Sequence, residues 1–297
     1  MADQFSDGAA YVDHSYVPIA KACVPILDAG FTRSDCTYDV VSVWDGKFFR
    51  LADHLTRFER GMRELRLSIP LGRDEVAAVL ERLVGLAALR EAYVEMIATR
   101  GLVVSRDPRE FENRFYAYAI PYVWISPTVQ QEEGGLHLII STVERISQRS
   151  IDPTIKNFHW GDLTKGLFEA FDAGALHAVL VDRDGNVTEG PGFNIFVVKD
   201  GALATPAQGV LHGITRATVI ELANRAGVAV REDVVAAREV RAADELFLTS
   251  TAGGVMPVTM LEGRPVGDGA PGKITSTLRQ SYWDAHDDPR YATQVRY

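Results

Sequence analysis

The sequence predicts an α+β fold with mixed sheets. Three observations carry that expectation: short β-rich runs punctuated by turn signals, longer segments with helical apolar periodicity, and a length of 297 residues, enough to bury a large core. The elements follow in order. Val40–Trp44 is strand-like, Asp45-Gly46 is a strong two-residue turn signal, and Phe48–Leu51 returns as its partner. Leu55, Phe58, Met62 and Leu65 recur at helical spacing, as do Val76, Val79, Leu80 and Leu83, so two amphipathic helices are expected. Tyr93–Thr99 and Phe115–Tyr122 are β-rich again.

The polar stretch from Ser126 to Gly135 loses periodicity and carries Pro and Gly, which marks an interdomain linker at 126–135. Lobes at 1–125 and 136–297 follow. The second starts with Leu138-Ile139-Ile140 and the Lys156 segment, then a helix near Leu163–Phe171, the strand Ala178–Val181 and an Asp184-Gly185 turn. Phe193–Val198 is the next strand and Lys199-Asp200-Gly201 the next turn; helices are expected over Ile214–Ala226 and from about Gly272 to Ala285. Neither an internal repeat nor a low-complexity segment is evident.

Composition narrows the function classes. Hydrophobic residues make up 46% of the chain, mean hydropathy is −0.03, and no apolar run is long enough to span a bilayer. The opening residues Met1 to Asp7 are polar and acidic, unlike a secretory signal, so a cytoplasmic address is expected. Cys23 and Cys36 are the only cysteines, which gives no disulfide framework and no repeated pair for zinc. A formal charge of −9 and a pI near 5.3 oppose a nucleic-acid partner, leaving a small, locally recognised phosphate as the anion to expect. A GxxxxGK[ST] phosphate loop, HExxH and CxxC are missing, and Gly190-Pro191-Gly192 leads into a strand rather than a helix. The histidines are scattered, so no metal is expected and His159 reads as a neighbour of the lysine rather than a ligand.

Three blocks carry chemistry. Lys156 lies in Ile155-Lys156-Asn157-Phe158-His159-Trp160-Gly161-Asp162, and Glu189 in Thr188-Glu189-Gly190-Pro191-Gly192-Phe193-Asn194. A lysine amine can hold an aldehyde cofactor as a Schiff base, and a carboxylate can keep a pyridine nitrogen protonated so that the ring accepts electrons. A buried Glu189 would need a cationic partner, which such a ring supplies. Leu211-His212-Gly213-Ile214-Thr215-Arg216 opens a helix and offers backbone N–H groups to a phosphate. Taken alone, Lys156 also reads as a solvated loop lysine and Glu189 as a surface turn carboxylate.

In this order the blocks resemble the fold-type IV family of pyridoxal-phosphate enzymes, which contains branched-chain aminotransferases, D-amino-acid aminotransferases, aminodeoxychorismate lyases and (R)-selective amine transaminases. Leu27-Asp28-Ala29-Gly30-Phe31, Ser34-Asp35, Thr37-Tyr38-Asp39-Val40, Val43-Trp44-Asp45-Gly46, Pro121-Tyr122-Val123-Trp124, Asp152-Pro153-Thr154-Ile155-Lys156-Asn157 and Thr251-Ala252-Gly253-Gly254 look most like the last subgroup. Nearly the whole chain is covered. The resemblance implies two lobes, a smaller N-terminal α/β lobe and a larger C-terminal lobe with a pseudo-barrel sheet, a pyridoxal 5′-phosphate cofactor and a homodimer.

It also implies residue roles. Lys156 holds the aldehyde and moves the proton between the substrate α-carbon and the cofactor C4′, and Glu189 holds the ring nitrogen. Backbone N–H groups of Ile214 and Thr215, the hydroxyls of Thr251 and Ser250 and the guanidinium of Arg57 hold the phosphate. Tyr38, Tyr93, Glu95, Trp160 and Leu211 match positions that shape the substrate pocket, although the aromatics and Leu211 read equally as core. Arg106 matches a loop arginine that receives the carboxylate of a keto or amino acid, and alone it reads as a surface charge. Arg33 stands where the subgroup carries histidine, and a permanent cation there would favour carboxylated substrates. Met96 and Ala98 occupy the strand where the D-amino-acid branch presents basic carboxylate-binding residues, which argues against that branch. The implied function is transfer of an amino group from an (R)-amine to a small 2-keto acid such as pyruvate by a ping-pong mechanism. Branched-chain or D-amino-acid aminotransferase, or an aminodeoxychorismate-type lyase, is the alternative.

Overall fold

The computed structural model describes residues 2–128 and 134–297. Two compact units appear: residues up to Val123 with 155–158 and 286–297, and residues 124–154 with 159–285. The sequence division into 1–125 and 136–297 therefore differs at two places, because the Lys156 segment and the C-terminal residues pack with the first unit. Five residues of the expected linker, 129–133, lie outside the described ones. Ser126 is fully buried, its hydroxyl 2.6 Å from His177 Nε2, so by that point the chain is packed into the second unit.

In the first unit, β1 (Ala9–Val12), β2 (Ser15–Pro18), β3 (Cys36–Trp44), β4 (Lys47–Phe49), β5 (Ala92–Thr99) and β6 (Arg114–Pro121) form an antiparallel sheet. Its order is the C-terminal strand Ala292–Gln294, then β4, β3, β5, β6, β1 and β2. Asp45 and Gly46 both take positive φ, 46° and 72°, the twist that a two-residue hairpin needs. Helix α1 (Ala29–Arg33) precedes β3, and α2 (Leu51–Glu64) and α3 (Arg73–Ala87) cover one face of the sheet.

Alternation along the strands assigns the two faces. Asp39, Val41 and Val43 of β3, Val94, Met96 and Ala98 of β5, and Phe115, Ala117 and Ala119 of β6 are in register on the helix side, packed with Leu55, Phe58, Leu80 and Leu83. Tyr38, Tyr93, Glu95, Ile97 and Tyr118 take the other side. Met96 and Ala98 are thus fully buried in the helix-covered core and do not face the lysine, so the argument drawn from them fails. A strand of period two shows its even and odd positions to different environments.

The second unit holds β7 (Leu136–Glu144), β8 (His177–Val181), β9 (Asn186–Val187), β10 (Asn194–Lys199), β11 (Ala202–Pro206), β12 (Val230–Asp233), β13 (Val235–Ala236), β14 (Glu245–Ser250), β15 (Gly254–Leu261) and β16 (Arg264–Pro265). The order is β12, β11, β10, β14, β15, β7, β8, β9, β13, with β16 beside β15. β7 pairs in parallel with β8 and β15, and β11 with β12; the remaining pairs are antiparallel. The two ends of the path, β12 and β13, are separated only by Val234, so the sheet curls nearly closed into a pseudo-barrel. Leu138, Val179, Ile195, Val197, Leu246, Leu248 and Met256 fill it. Helices α4 (Gly161–Asp172), α5 (Ile214–Arg225), α6 (Ala237–Arg241) and α7 (Lys273–Asp284) complete the unit.

Candidate active site

β4 is three residues long and pairs with β3 only at Val43 and Trp44, which leaves the edge of β3 open at Thr37 and Tyr38. The Lys156 segment docks there. Tyr38 N–H donates to the Lys156 carbonyl at 3.1 Å and Thr37 Oγ1 donates to the same oxygen at 2.9 Å. Gly61 of α2 makes room for this, since a Cβ at that position would lie 2.4 Å from Thr37 Oγ1. Phe158 lies against Tyr38 with ring centroids 4.5 Å apart.

The backbone of Lys156 is therefore fixed while its amine is not. Among the described residues Nζ makes no hydrogen bond and no ion pair; it sits 4.3 Å from the centre of the Tyr38 ring. A π face attracts an ammonium without occupying a lone pair or a proton, so the nitrogen stays available to a carbonyl.

On the same face, Glu95 is 6% exposed and its Oε2 accepts from both Tyr118 (2.7 Å) and Tyr93 (3.1 Å). Burial raises its proton affinity above that of an ordinary glutamate, although Tyr118, Lys156 and Tyr93 pull the other way. Burial and Glu95 push both phenols up, so they remain donors. Tyr38, Tyr93 and Glu95 are thus brought together with Lys156; Tyr118 is an addition that strand register alone could have supplied, since it lies opposite Glu95.

On the helix side of the sheet, Asp39 is fully buried and accepts from Arg57 Nε at 2.7 Å and Nη2 at 2.8 Å, with His54 Nδ1 at 2.7 Å. Burial alone would raise this carboxyl, but the Arg57 guanidinium and then His54 override it and hold it well below the usual carboxylate range. Burial lowers His54, which is therefore neutral near pH 7. Arg57, expected to hold phosphate, is aimed by this anion. The signal was present in the sequence: an aspartate on the apolar face of a strand, opposite a helix with His54 and Arg57 one turn apart.

In the second unit, Glu189 is 6% exposed, and its Oε2 accepts from the Leu211 N–H at 2.7 Å. Its Oε1 accepts from Arg145 Nη2 at 3.1 Å and Nε at 3.3 Å, and Arg145 Nη1 reaches Asp162 Oδ2 at 2.6 Å. The cation that a buried Glu189 needs, expected from a pyridine ring, is already present within the chain. Arg145 supplies one within the chain, and sequence reasoning missed it because Arg145 lies 44 positions from Glu189.

α5 begins at Gly213, which has extended backbone and no side-chain cap, so the first-turn N–H groups of Ile214 and Thr215 are open to an anion. Gly213 is needed because a Cβ would lie 2.3 Å from Asn194 Oδ1, and Asn194 Nδ2 in turn donates to Leu211 O at 2.8 Å. β14, which packs against α5, ends at Ser250; Ser250 Oγ accepts from Ala252 N–H at 3.1 Å and Thr251 is half-buried beside it. Trp160 leads into α4 and packs on Val143, Leu163 and Leu180. Arg33 ends α1 and is exposed, as is Arg106 in the loop after β5, and neither has a hydrogen-bond or ion-pair partner among the described residues. No group of three or more His, Cys, Asp or Glu side chains able to hold a metal occurs among the described residues.

The first unit holds an unencumbered lysine, and the second holds a buried carboxylate and an uncapped helix start with hydroxyls nearby, the residue types that pyridoxal-phosphate chemistry uses. The amino-transferase class IV profile matches residues 37–261, and the chain belongs to that family. It is 33% identical over 276 residues to the D-alanine aminotransferase of Listeria monocytogenes serotype 4b, spanning 91% of this chain and 93% of that one. It is 32% identical over 278 residues to a Methanocaldococcus jannaschii protein provisionally named a branched-chain-amino-acid aminotransferase, spanning 92% and 95%. The branched-chain amino acid aminotransferase from Thermobaculum terrenum, solved in its PLP-form, is similar with a TM-score of 0.88 at 28% identity, covering 99% of this chain and 100% of that one. The fold is that of the fold-type IV aminotransferases, and the cofactor is pyridoxal 5′-phosphate. When bound, it supplies an aldehyde for an amine nitrogen and a ring that accepts electrons. No helix among the described residues is long and apolar enough to cross a membrane.

Proposed function

We propose that this aminotransferase moves an amino group from an (R)-amine to a small 2-keto acid such as pyruvate, in a ping-pong cycle and as a homodimer, in the cytoplasm. Lys156 would hold the aldehyde and carry the proton at the substrate α-carbon, Glu189 the ring nitrogen, and Ile214, Thr215, Ser250, Thr251 and Arg57 the phosphate. One observation carries the preference for an amine: beside the phenols of Tyr38, Tyr93 and Tyr118, the Lys156 face of the first sheet carries a carboxylate, Glu95, where a donor's own carboxylate would be repelled. The likeness of the blocks around Tyr38, Trp44 and Lys156 to the (R)-amine transaminases supports the facial preference.

A second reading, an amino-acid donor, is favoured by the names of the relatives and by the exposed cations Arg33 and Arg106. Loss of the cofactor's aldehyde-form absorbance, followed in single turnovers with (R)-amines, (S)-amines, D-amino acids and L-amino acids, separates the two. Faster loss with (R)-1-phenylethylamine than with its (S) enantiomer or any amino acid is expected. Faster loss with D-alanine or L-leucine transfers the assignment to the second reading.

A further inference from the structure

Glu95 has one carboxylate oxygen whose partner the fold does not provide. Oε2 takes both phenols, whereas among the described residues nothing donates to Oε1, although the residue is only 6% exposed. Oε1 is not one of the fully buried unpaired polar atoms of the described residues, so it stays open to a donor that arrives from outside the fold. Lys156 is the cation that acts on it electrostatically, yet its amine lies over the Tyr38 ring and does not hydrogen-bond Glu95. The phenols of Tyr93 and Tyr118, from neighbouring strands, fix the carboxylate in one orientation beside that lysine.

We propose that Glu95 receives the substrate's ammonium on Oε1 and accepts the proton that this nitrogen must lose before it can attack a carbonyl. One N–H bond breaks with its electron pair left on nitrogen, one O–H bond forms on Oε1, and the carboxylate becomes a neutral acid; the proton leaves to solvent or to the departing amine. No oxidant or further reactant is involved. Burial makes Glu95 a stronger base than a surface glutamate, which suits the transfer. Besides burial, the groups that act on its titration are Tyr118 on β6, Lys156, Tyr93 on its own strand, and Asp39 and Cys36 on β3; Tyr38 acts on the two phenols. The inference rests on amine-donor chemistry but not on facial selectivity, because every donor brings a protonated nitrogen.

The probe is N,N-dimethyl-(R)-1-phenylethylamine, which carries an ammonium N–H and cannot condense with an aldehyde. Calorimetry on the cofactor-loaded protein should show its affinity about ten- to hundredfold weaker in Glu95→Gln, as expected for loss of a charge-assisted hydrogen bond, with acetophenone affinity within about twofold of wild type. Tyr118→Phe removes a donor to the carboxylate, so the acid limb of kcat/KM should move to higher pH. That profile is taken with (R)-1-phenylethylamine, or with D-alanine or L-leucine where the wild type accepts only amino acids, so failure of the amine reading leaves this test intact. Equal probe affinity in wild type and Glu95→Gln, or an acid limb unmoved in Tyr118→Phe, would overturn the proposal.

Discussion

Replacing Asp39 by asparagine keeps the shape of the side chain and removes the charge on which Arg57 and His54 converge. The carboxylate is fully buried, the Arg57 side chain is 9% exposed, and three contacts of 2.7, 2.8 and 2.7 Å join the cluster. Breaking one partner of a buried pair typically costs about 3 to 5 kcal/mol, because the other charge is left uncompensated. At roughly 2 to 4 °C per kcal/mol for a domain of this size, Tm should fall by about 6 to 20 °C. The measurement is thermal unfolding by circular dichroism at pH 8, where His54 is neutral folded or unfolded. Asp39 has a folded pKa below its unfolded value of about 3.9, so its contribution is fully present above that pH and disappears as pH falls through the folded value. A fall of less than about 3 °C would mean the pair is worth no more than a surface ion pair, and the buried-anchor argument for Arg57 would fail.

Lys156→Ala should fold but fix no cofactor under borohydride, whereas peptide mapping of reduced wild type should place the label on Lys156; a label on Lys165 would contradict the assignment. Glu189→Gln should retain the cofactor yet slow the amine half-reaction about a hundredfold or more, and near-normal turnover in a loaded sample would mean another group holds the ring nitrogen. Arg106→Ala should lower kcat/KM for pyruvate by about tenfold and spare single-turnover reaction with an (R)-amine, since only the keto acid brings a carboxylate. Equal losses in both halves would assign Arg106 a structural role. Arg33→His should raise the ratio of (R)-arylalkylamine to amino-acid activity; an unchanged ratio would remove Arg33 from specificity.

Period-two and period-3.6 patterns made most of the elements legible: Asp45-Gly46 forms the expected hairpin turn, and Leu55, Phe58 and Leu80, Leu83 lie on the buried faces of their helices. Short pieces such as β9, β13 and β16, two residues each, carry no periodicity and were not readable. Domain membership failed for a related reason. The Lys156 segment joins the first unit through two hydrogen bonds to a strand edge 119 positions away, a contact that composition cannot announce. Among site residues, those inside local motifs could be named; Arg145 could not, because its role comes from a pairing partner distant in sequence, whereas Asp39 and Tyr118 were legible only through strand alternation and register.

Adjacent positions on β3 serve opposite sides of one sheet. Tyr38 turns its ring to Lys156, and Asp39 turns its carboxylate to Arg57 and His54. Neither task could be moved to the neighbouring residue, because a one-residue slip in a strand exchanges its faces and would bury a tyrosine under α2 while placing a carboxylate beside the lysine ammonium. Such a slip would pair Lys156 and leave Arg57 without its anion. The register is held by eight paired positions between β3 and β5, from Cys36 opposite Thr99 to Val43 opposite Ala92, with Val41 opposite Val94 packed under the helices. Apolar burial on the helix side therefore decides which groups meet the lysine on the other, and the chemistry available to Lys156 depends on the packing of Val41, Val94 and Met96, none of which touches it.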